Sequence, residues 1–357
     1  MLDAFVNRIL EGDCIDVLKI LPDETVDMVF ADPPYFMQLE NTLMRYEGTV
    51  FNGMKDSDWD KFNDFKHYDK FCIDWLKECK RVLKKNGSLW VIGSFQNIYR
   101  VGTILLDLGF WIMNDVIWEK SNPVPNFSGV RFTNAHETLL WVVKNKKAKP
   151  TFNYKTMKTY NGGKQMRSVW KIPLCVGSER LKNSEGQKLH NTQKPEELLR
   201  RVILSTTKKG DIVLDPFFGT GTTGFVAKTL GRQFIGIEKE QEYIEAAQQR
   251  LEKAVQVSLE WHEVAEEKVS RVPFSALFEE GLVFEGEYLY SKNKDHSAIL
   301  NRDGKVTYGN EVLSIHIASA KALNKINNNG WTYWHVLRDG QLILIDALRK
   351  KYREEHK

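Results

Sequence analysis

Cysteine is scarce in this chain. Four occur in 357 residues, Cys14, Cys72, Cys79 and Cys175, and none forms a Cys-x-x-Cys pair. That excludes a disulfide scaffold and a thiolate metal knuckle. No metal is expected, and the thiols read as reduced, in a cytoplasmic protein. Long apolar runs are missing too: no stretch approaches the roughly 18 residues that a membrane-crossing helix needs. Met1-Leu2-Asp3-Ala4-Phe5 lacks the basic region and apolar stretch of a signal peptide. No membrane partner is expected.

Aspartate is absent from residues 142–209, where 17 Lys or Arg stand against 4 Glu. That segment carries +13 and the remainder −9, a division hidden inside a net charge of +4. Positive charge gathered this way is an electrostatic footprint for a polyanion, and nucleic acid is the expected partner. The length allows one large domain and a small one, and a hydrophobic content of 42% supports a packed core.

Residues 26–30 form an apolar run broken only by Asp27, which reads as a buried strand. It ends in Ala31-Asp32-Pro33-Pro34-Tyr35. Two prolines fix φ and remove two amide donors, so the carbonyls there are expected to point outward without strand partners. A carboxylate, a stiff carbonyl and an aromatic ring at one sheet edge suit a planar amine. Asp32 and the Pro33 carbonyl would accept its N–H groups, with Pro34 stiffening the turn and Tyr35 stacking on the ring.

A second constellation lies near residue 215. An apolar strand closes in Asp215-Pro216-Phe217-Phe218, and Gly219-Thr220-Gly221-Thr222-Thr223-Gly224 leads into a helical pattern. Glycine at 219 and 221 permits positive φ and close ligand approach. Gln233-Phe234-Ile235-Gly236-Ile237-Glu238 reads as the next strand, closing in an acid 23 residues after Asp215. In nucleotide-binding α/β folds an acid at that position takes ribose hydroxyls. The glycine spacing also fits a dinucleotide fingerprint; Asp215-Pro216 ahead of the turn and the partner motif at Asp32 argue against it.

Together these motifs resemble the S-adenosylmethionine-dependent amino-methyltransferases. The order, catalytic motif before cofactor motif, is similar to the β class of DNA methyltransferases. The likeness extends to Gly12-Asp13-Cys14, Thr192-Gln193-Lys194-Pro195 and Trp90-Val91-Ile92-Gly93-Ser94-Phe95. Ser121-Asn122-Pro123-Val124-Pro125-Asn126-Phe127 and Asn134-Ala135-His136-Glu137-Thr138 resemble the adenine methyltransferases that modify GANTC, both cell-cycle-regulated and restriction-system types. The resemblance runs nearly end to end.

It implies an α/β, Rossmann-like fold with permuted motif order and a small C-terminal α+β domain. The cofactor would be S-adenosyl-L-methionine, held by Asp13, Cys14, Asp32, Lys194, Asp215, Phe217, Gly219, Gly221, Thr222, Thr223 and Glu238. Asp13 would contact the cofactor adenine. Lys194 would either meet the cofactor carboxylate or cap a helix beginning at Pro195. Double-stranded DNA would be the substrate, contacted by Arg45, Asn122, Asn126, Arg131, Lys164, Arg167 and Trp331. Arg suits both guanine and phosphate. His136 and Glu137 would either contact a base or orient a loop. Cytosine-N4 transfer uses the same geometry, but that group tends to carry Ser before Pro-Pro. Cytosine-C5 transfer needs an attacking thiolate, typically in a Pro-Cys pair, and no cysteine here follows proline. A non-catalytic DNA-binding module would have lost Asp32, Tyr35, Asp215, Gly219 or Glu238. A homodimer and a cognate restriction endonuclease stay open.

The expected organisation is a catalytic domain over 1–257, with a basic, irregular target-recognition region at about 142–190. A linker follows over 258–272, then a DNA-binding accessory domain over 273–357. Tyr243, Ala247 and Leu251 are expected inward on the last helix of the catalytic domain. In the C-terminal domain, turns are expected at Asp303-Gly304 and Asp339-Gly340. The aromatics from Trp331 to His335 are expected to alternate along a strand, serving either a small core or a DNA-stacking surface.

Overall fold

The computed structural model describes residues 2–36, 62–126, 129–182, 186–187, 189, 192–256 and 272–356. The chain divides into two units, 1–266 and 267–357. The 258–272 linker expectation falls almost wholly outside the described residues, as does Arg45.

In the first unit the elements run β1 (Arg8–Glu11), α1 (Cys14–Ile20), β2 (Val26–Ala31), α2 (Phe65–Val82) and β3 (Leu83–Gly93). They continue through α3 (Ile98–Asp107), β4 (Trp111–Lys120), β5 (His136–Val143), α4 (Tyr154–Tyr160) and β6 (Val169–Ile172). The unit closes with α5 (Glu196–Thr206), β7 (Ile212–Asp215), α6 (Thr222–Thr229), β8 (Gln233–Glu238) and α7 (Gln241–Glu252). The strands form one sheet in the order β1-β8-β7-β2-β3-β5-β4-β6. Only β5 is antiparallel to its neighbours among these pairings.

Alternation along the strands explains the layers. Val29, Ala31, Leu89, Val91 and Leu214 face α1, α2 and α3, with Trp75 and Leu76 buried against them. Their sequence neighbours Met28, Phe30, Trp90 and Val213 face the other way, onto α5 and α6. A parallel sheet buried on both faces needs continuous apolar strands, which β2, β7 and β8 supply. The buried Trp90 keeps its polar atom satisfied: its indole N–H donates to the Thr206 hydroxyl at 3.1 Å.

Two expectations need correction here. The stretch after β5 is not irregular throughout. Met157 and Trp170 bury apolar surface in the core, which makes α4 and β6 part of the scaffold, with β6 as an edge strand of the sheet. On α7 the inward residues are Ile244, Ala247 and Leu251, while Tyr243 is half-buried.

The second unit holds α8 (Phe274–Glu279), β9 (Tyr288–Tyr290), β10 (Ser297–Leu300), β11 (Lys305–Tyr308) and β12 (Glu311–Ser314). α9 (Ile315–Ala322), β13 (His335–Arg338), β14 (Gln341–Leu344) and α10 (Ile345–Glu355) complete it. Its sheet is antiparallel, ordered β12-β11-β10-β9-β13-β14. Both Asp-Gly pairs lie between paired strands as expected. Residues 330–332 form a short 3-10 turn instead of a strand. The Asn329 side chain takes the Trp331 amide at 3.2 Å, a local bond that competes with a ladder.

Candidate active site

β1, β8, β7, β2 and β3 run parallel, so their C-terminal ends collect at one edge, where ligands bind in open α/β sheets. β2 and β7 are direct neighbours, which brings the chain after Ala31 beside the chain after Leu214. A cavity of about 270 Å³ opens there. Of the expected cofactor residues, Asp13, Cys14, Asp32, Phe217, Gly219 and Glu238 line it. Pro33, Pro34 and Tyr35 line it as well.

Local structure positions each group. Asp13 caps α1, accepting the Ile15 amide at 2.9 Å. Glu238 ends β8; one oxygen accepts the Gly219 amide at 2.7 Å and the other the amides of Lys239 and Glu240. Burial pushes its carboxyl up, and those amides pull it back. Phe217 packs edge-on against Trp75 at 5.2 Å. Burial pushes the Cys14 thiol far up, so it serves as an apolar wall and not as a nucleophile.

Other expected cofactor residues sit behind this wall. Asp215, Thr222, Thr223 and Lys194 line a smaller adjoining cleft that shares Asp32, Phe217 and Gly219 with the main cavity. Asp215 closes its own turn: one oxygen accepts the Phe217 amide at 2.9 Å, the other the Thr223 hydroxyl at 2.6 Å. Burial raises its carboxyl to about 7. Thr222 accepts from Arg250 at 2.9 Å. Gly221 lines neither space. It has φ +76°, and a Cβ there would stand 2.8 Å from the Ala247 Cβ. Both the left-handed backbone and the contact with Ala247 require glycine there.

Around Asp32 lies a buried cluster that the motifs only partly foretell. Tyr35 turns its hydroxyl inward, 2.9 Å from Asp32 Oδ1 and 3.0 Å from Glu137 Oε2. Lys194 Nζ donates to Asp32 Oδ2 at 2.7 Å and lies 3.8 Å from Glu137 Oε2. Lys120 Nζ lies 2.8 Å from Glu137 Oε1. Lys194 therefore meets Asp32, where contact with a cofactor carboxylate or a helix cap had been expected. The Pro34 carbonyl accepts the Tyr68 hydroxyl of α2 at 2.9 Å.

Burial raises the Asp32 carboxyl, and Lys194 opposes it. Burial would raise Glu137 too, but Lys194 and Lys120 together hold it below the usual range. Glu137 is thus the firmly ionised carboxylate and Asp32 the more easily protonated one. Glu137 was legible only as part of the Asn134-to-Thr138 run, and Lys120 carried no signal.

The expected DNA contacts divide by place. β3 and β5 pair Gly93 with Thr138, and β4 and β5 pair Glu119 with His136. The chain between β4 and β5 therefore leaves from the Asp32 edge and returns to it. It carries Asn122, Asn126 and Arg131. Asn122 accepts the Leu174 amide at 2.7 Å, and Asn126 donates to the Arg131 carbonyl at 2.9 Å. Arg131 is exposed, its guanidinium 5.6 Å from the Phe95 ring centroid, with Val130 and Phe132 exposed on either side. Lys164 and Arg167 are exposed but precede β6, whose C-terminal end is the one that reaches this edge. Trp331 is not an open stacking platform. It is buried, with Phe274 stacked at 4.9 Å and the Arg349 guanidinium 4.3 Å from its ring centroid.

The cavity suits a ligand with an aromatic base, a hydroxylated sugar and a positive charge. Phe62, Phe71 and Phe217 supply apolar wall, and Asp13, Asp32 and Glu238 supply carboxylates. Among the described residues no group of three or more His, Cys, Asp or Glu could hold a metal ion. None of the described helices is long and apolar enough to cross a membrane.

Comparison with known proteins agrees with this geometry. Residues 26–249 match the DNA methylase family model, and residues 262–357 match the model "Restriction Enzyme Adenine Methylase Associated". The chain is 56% identical to the type II methyltransferase M.HinfI of Haemophilus influenzae over 355 residues, 99% of each chain. It is 46% identical to the type II methyltransferase M2.LlaDCHI of Lactococcus lactis subsp. cremoris over 255 residues, 71% of this chain and 92% of that one. Among solved structures, M1.HpyAVI in complex with SAM is similar, with a TM-score of 0.50 and 30% identity over 68% of this chain and 98% of that one. The cytosine-N4-specific PvuII DNA methyltransferase shares the fold, with a TM-score of 0.53 and 21% identity over 73% of this chain and 88% of that one.

Proposed function

The chain belongs to the DNA methylase family, and on that premise we propose that it is a site-specific DNA adenine-N6 methyltransferase acting at 5′-GANTC-3′. Its cofactor is S-adenosyl-L-methionine, and its substrate is double-stranded DNA in the cytoplasm, at the nucleoid. The observation that carries the reading is the placement of Asp32 on the wall of a nucleotide-sized cavity, beside the strand that carries the glycine turn. Asp before Pro-Pro and the adenine-methylase-associated C-terminal module favour adenine over cytosine.

Adenine N6 is a weak nucleophile because its lone pair delocalises into the ring. In this reading Asp32 and the Pro33 carbonyl accept the two N6–H bonds and localise that pair. The Pro34 carbonyl, tied to Tyr68, holds the turn in place. The cofactor, when bound, supplies a methyl group already activated by positive sulfur. Positioning then supplies most of the rate, and no covalent enzyme intermediate is needed. Asp13 and Glu238 would hold its adenine and ribose, and Phe217 would pack against it.

A target base inside a duplex must be extruded, at a cost of a few kcal/mol. The exposed chain between β4 and β5, with Val130, Arg131 and Phe132 at the same edge, offers surface to a distorted duplex. The excess positive charge of residues 142–209 favours approach of a polyanion, though Lys164 and Arg167 lie away from the Asp32 edge and Lys194 is buried on Asp32.

Plasmid incubated with the protein and cofactor should resist a nuclease that is blocked by methylation at GANTC. Sequencing should place the methyl group on adenine. Asp32→Ala should abolish transfer while cofactor binding persists. Methylation mapped to another sequence would remove the site assignment and leave the enzyme class. Full turnover by Asp32→Ala would remove the catalytic role of Asp32.

A further inference from the structure

Both oxygens of Asp32 already accept a hydrogen bond before any substrate amine arrives. Its Oδ1 takes the Tyr35 hydroxyl at 2.9 Å and its Oδ2 the Lys194 ammonium at 2.7 Å. An ammonium on a carboxylate weakens it as an acceptor for anything else. Glu137 lies on the far side of both donors, 3.0 Å from the Tyr35 hydroxyl and 3.8 Å from Lys194 Nζ, with its other oxygen 2.8 Å from Lys120. Tyr35 has one proton, and two carboxylates reach for it. Lys194 has three, with two carboxylates in range.

We propose that Glu137 is a positioning residue for methyl transfer, the alternative acceptor that draws Lys194 and the Tyr35 hydroxyl away from Asp32 when the adenine amine takes their place. This rests on the reading of Asp32 as the amine acceptor. Glu137 sits at the start of β5 and Lys120 at the end of β4. Lys194 comes from the chain before α5, and Asp32 and Tyr35 from the turn after β2. Arg180 acts on Lys194, and Asp215 and Asp32 repel each other.

Two carboxylates and two ammonium groups make the cluster neutral. Handing Lys194 from Asp32 to Glu137 keeps every buried charge paired. Without Glu137, releasing Lys194 would strand a buried cation, which low-dielectric surroundings penalise heavily. Lys194 would then stay on Asp32 and compete with the substrate. The handover involves no covalent change and no net proton transfer.

The test uses the full-length protein with cofactor and a GANTC duplex. Glu137→Gln keeps the shape and an oxygen for Tyr35 but removes the charge that attracts Lys194. Single-turnover methylation should slow on the order of 10- to 100-fold. Equilibrium binding of the cofactor should change by less than about twofold, because it does not contact Glu137 in this scheme. Removing the Glu137 anion also relieves its repulsion of the ionised Asp32, so the acid limb of the rate profile should move to lower pH.

The double variant Glu137→Gln with Lys120→Met separates positioning from charge balance. It restores neutrality without restoring an acceptor for Lys194. It should remain slow, and recovery to the wild-type rate would overturn the proposal. Glu137→Asp, which keeps the charge on a shorter arm, should recover part of the rate. If Glu137→Gln does not fold, a Glu137→Asp variant slower than the folded double variant counts against the idea equally. Should wild-type protein transfer no methyl group to DNA, the failure belongs to the functional reading and not to Glu137.

Discussion

Lys194 Nζ lies 2.7 Å from Asp32 Oδ2, across 162 residues of sequence, and both groups are largely buried. The ammonium is the largest influence opposing the burial that raises the Asp32 carboxyl. Replacing it with an apolar chain of similar length, Lys194→Met, should let that carboxyl rise further. The acid limb of the methylation rate should therefore move to higher pH, opposite in direction to Glu137→Gln. A rate profile with an unmoved acid limb would show that Asp32 ionisation does not set it.

Asp215 makes stability depend on pH in the reverse of the usual acid sense. Its carboxyl rises from 3.8 to about 7 on folding, chiefly through burial. The folded chain then keeps a proton that the unfolded chain has lost. Stability is highest below the unfolded value, falls as pH climbs toward 7, and stays reduced above it. The penalty at neutral pH is at most about 4 kcal/mol. Asp215→Asn removes the charge, so its melting temperature relative to wild type should improve between about pH 4 and pH 8. A difference that stays constant across that range would refute the linkage.

Gly221 joins the turn after β7 to α6 with φ +76°, and its missing Cβ would press on Ala247. Gly221→Ala meets both a left-handed backbone and a tight helix contact. The expected cost is roughly 1–3 kcal/mol of stability. Cofactor affinity of the folded fraction should change little, since Gly221 does not line the cavity. Denaturant melts and isothermal titration measure the two effects separately. Normal stability with lost binding would reverse the assignment.

Trp331 lies between Phe274 and Arg349 in the core of the second unit. Trp331→Ala should cost about 3–5 kcal/mol there, as large-to-small core changes do. In the full chain, limited proteolysis should cut the second unit sooner while cofactor binding by the first unit persists. An intact, stable second unit with weakened DNA binding would restore Trp331 to a contact role.

The sequence by itself determined the local parts. Apolar runs ending in Asp32 and near Asp215, the glycines at 219 and 221, and the acid at Glu238 are short-range patterns. Their strand, turn and helix geometry follows from backbone sterics and alternation within a few residues. Asp-Gly pairs set the hairpins of the second unit for the same reason. Only the tertiary structure decided which local pieces meet. The register of β3, β5 and β4 brings Glu137 and Lys120 to Asp32, although neither belongs to its motif. Chain folding places Lys194 on that carboxylate, ties Thr223 to Asp215 and Thr222 to Arg250, and packs Gly221 against Ala247. It likewise decided between the two readings of the aromatic run, core or stacking surface, by burying Trp331 and Trp334. Charge partners and ring contacts are long-range terms: they depend on sheet order and helix packing, which no local window of residues contains.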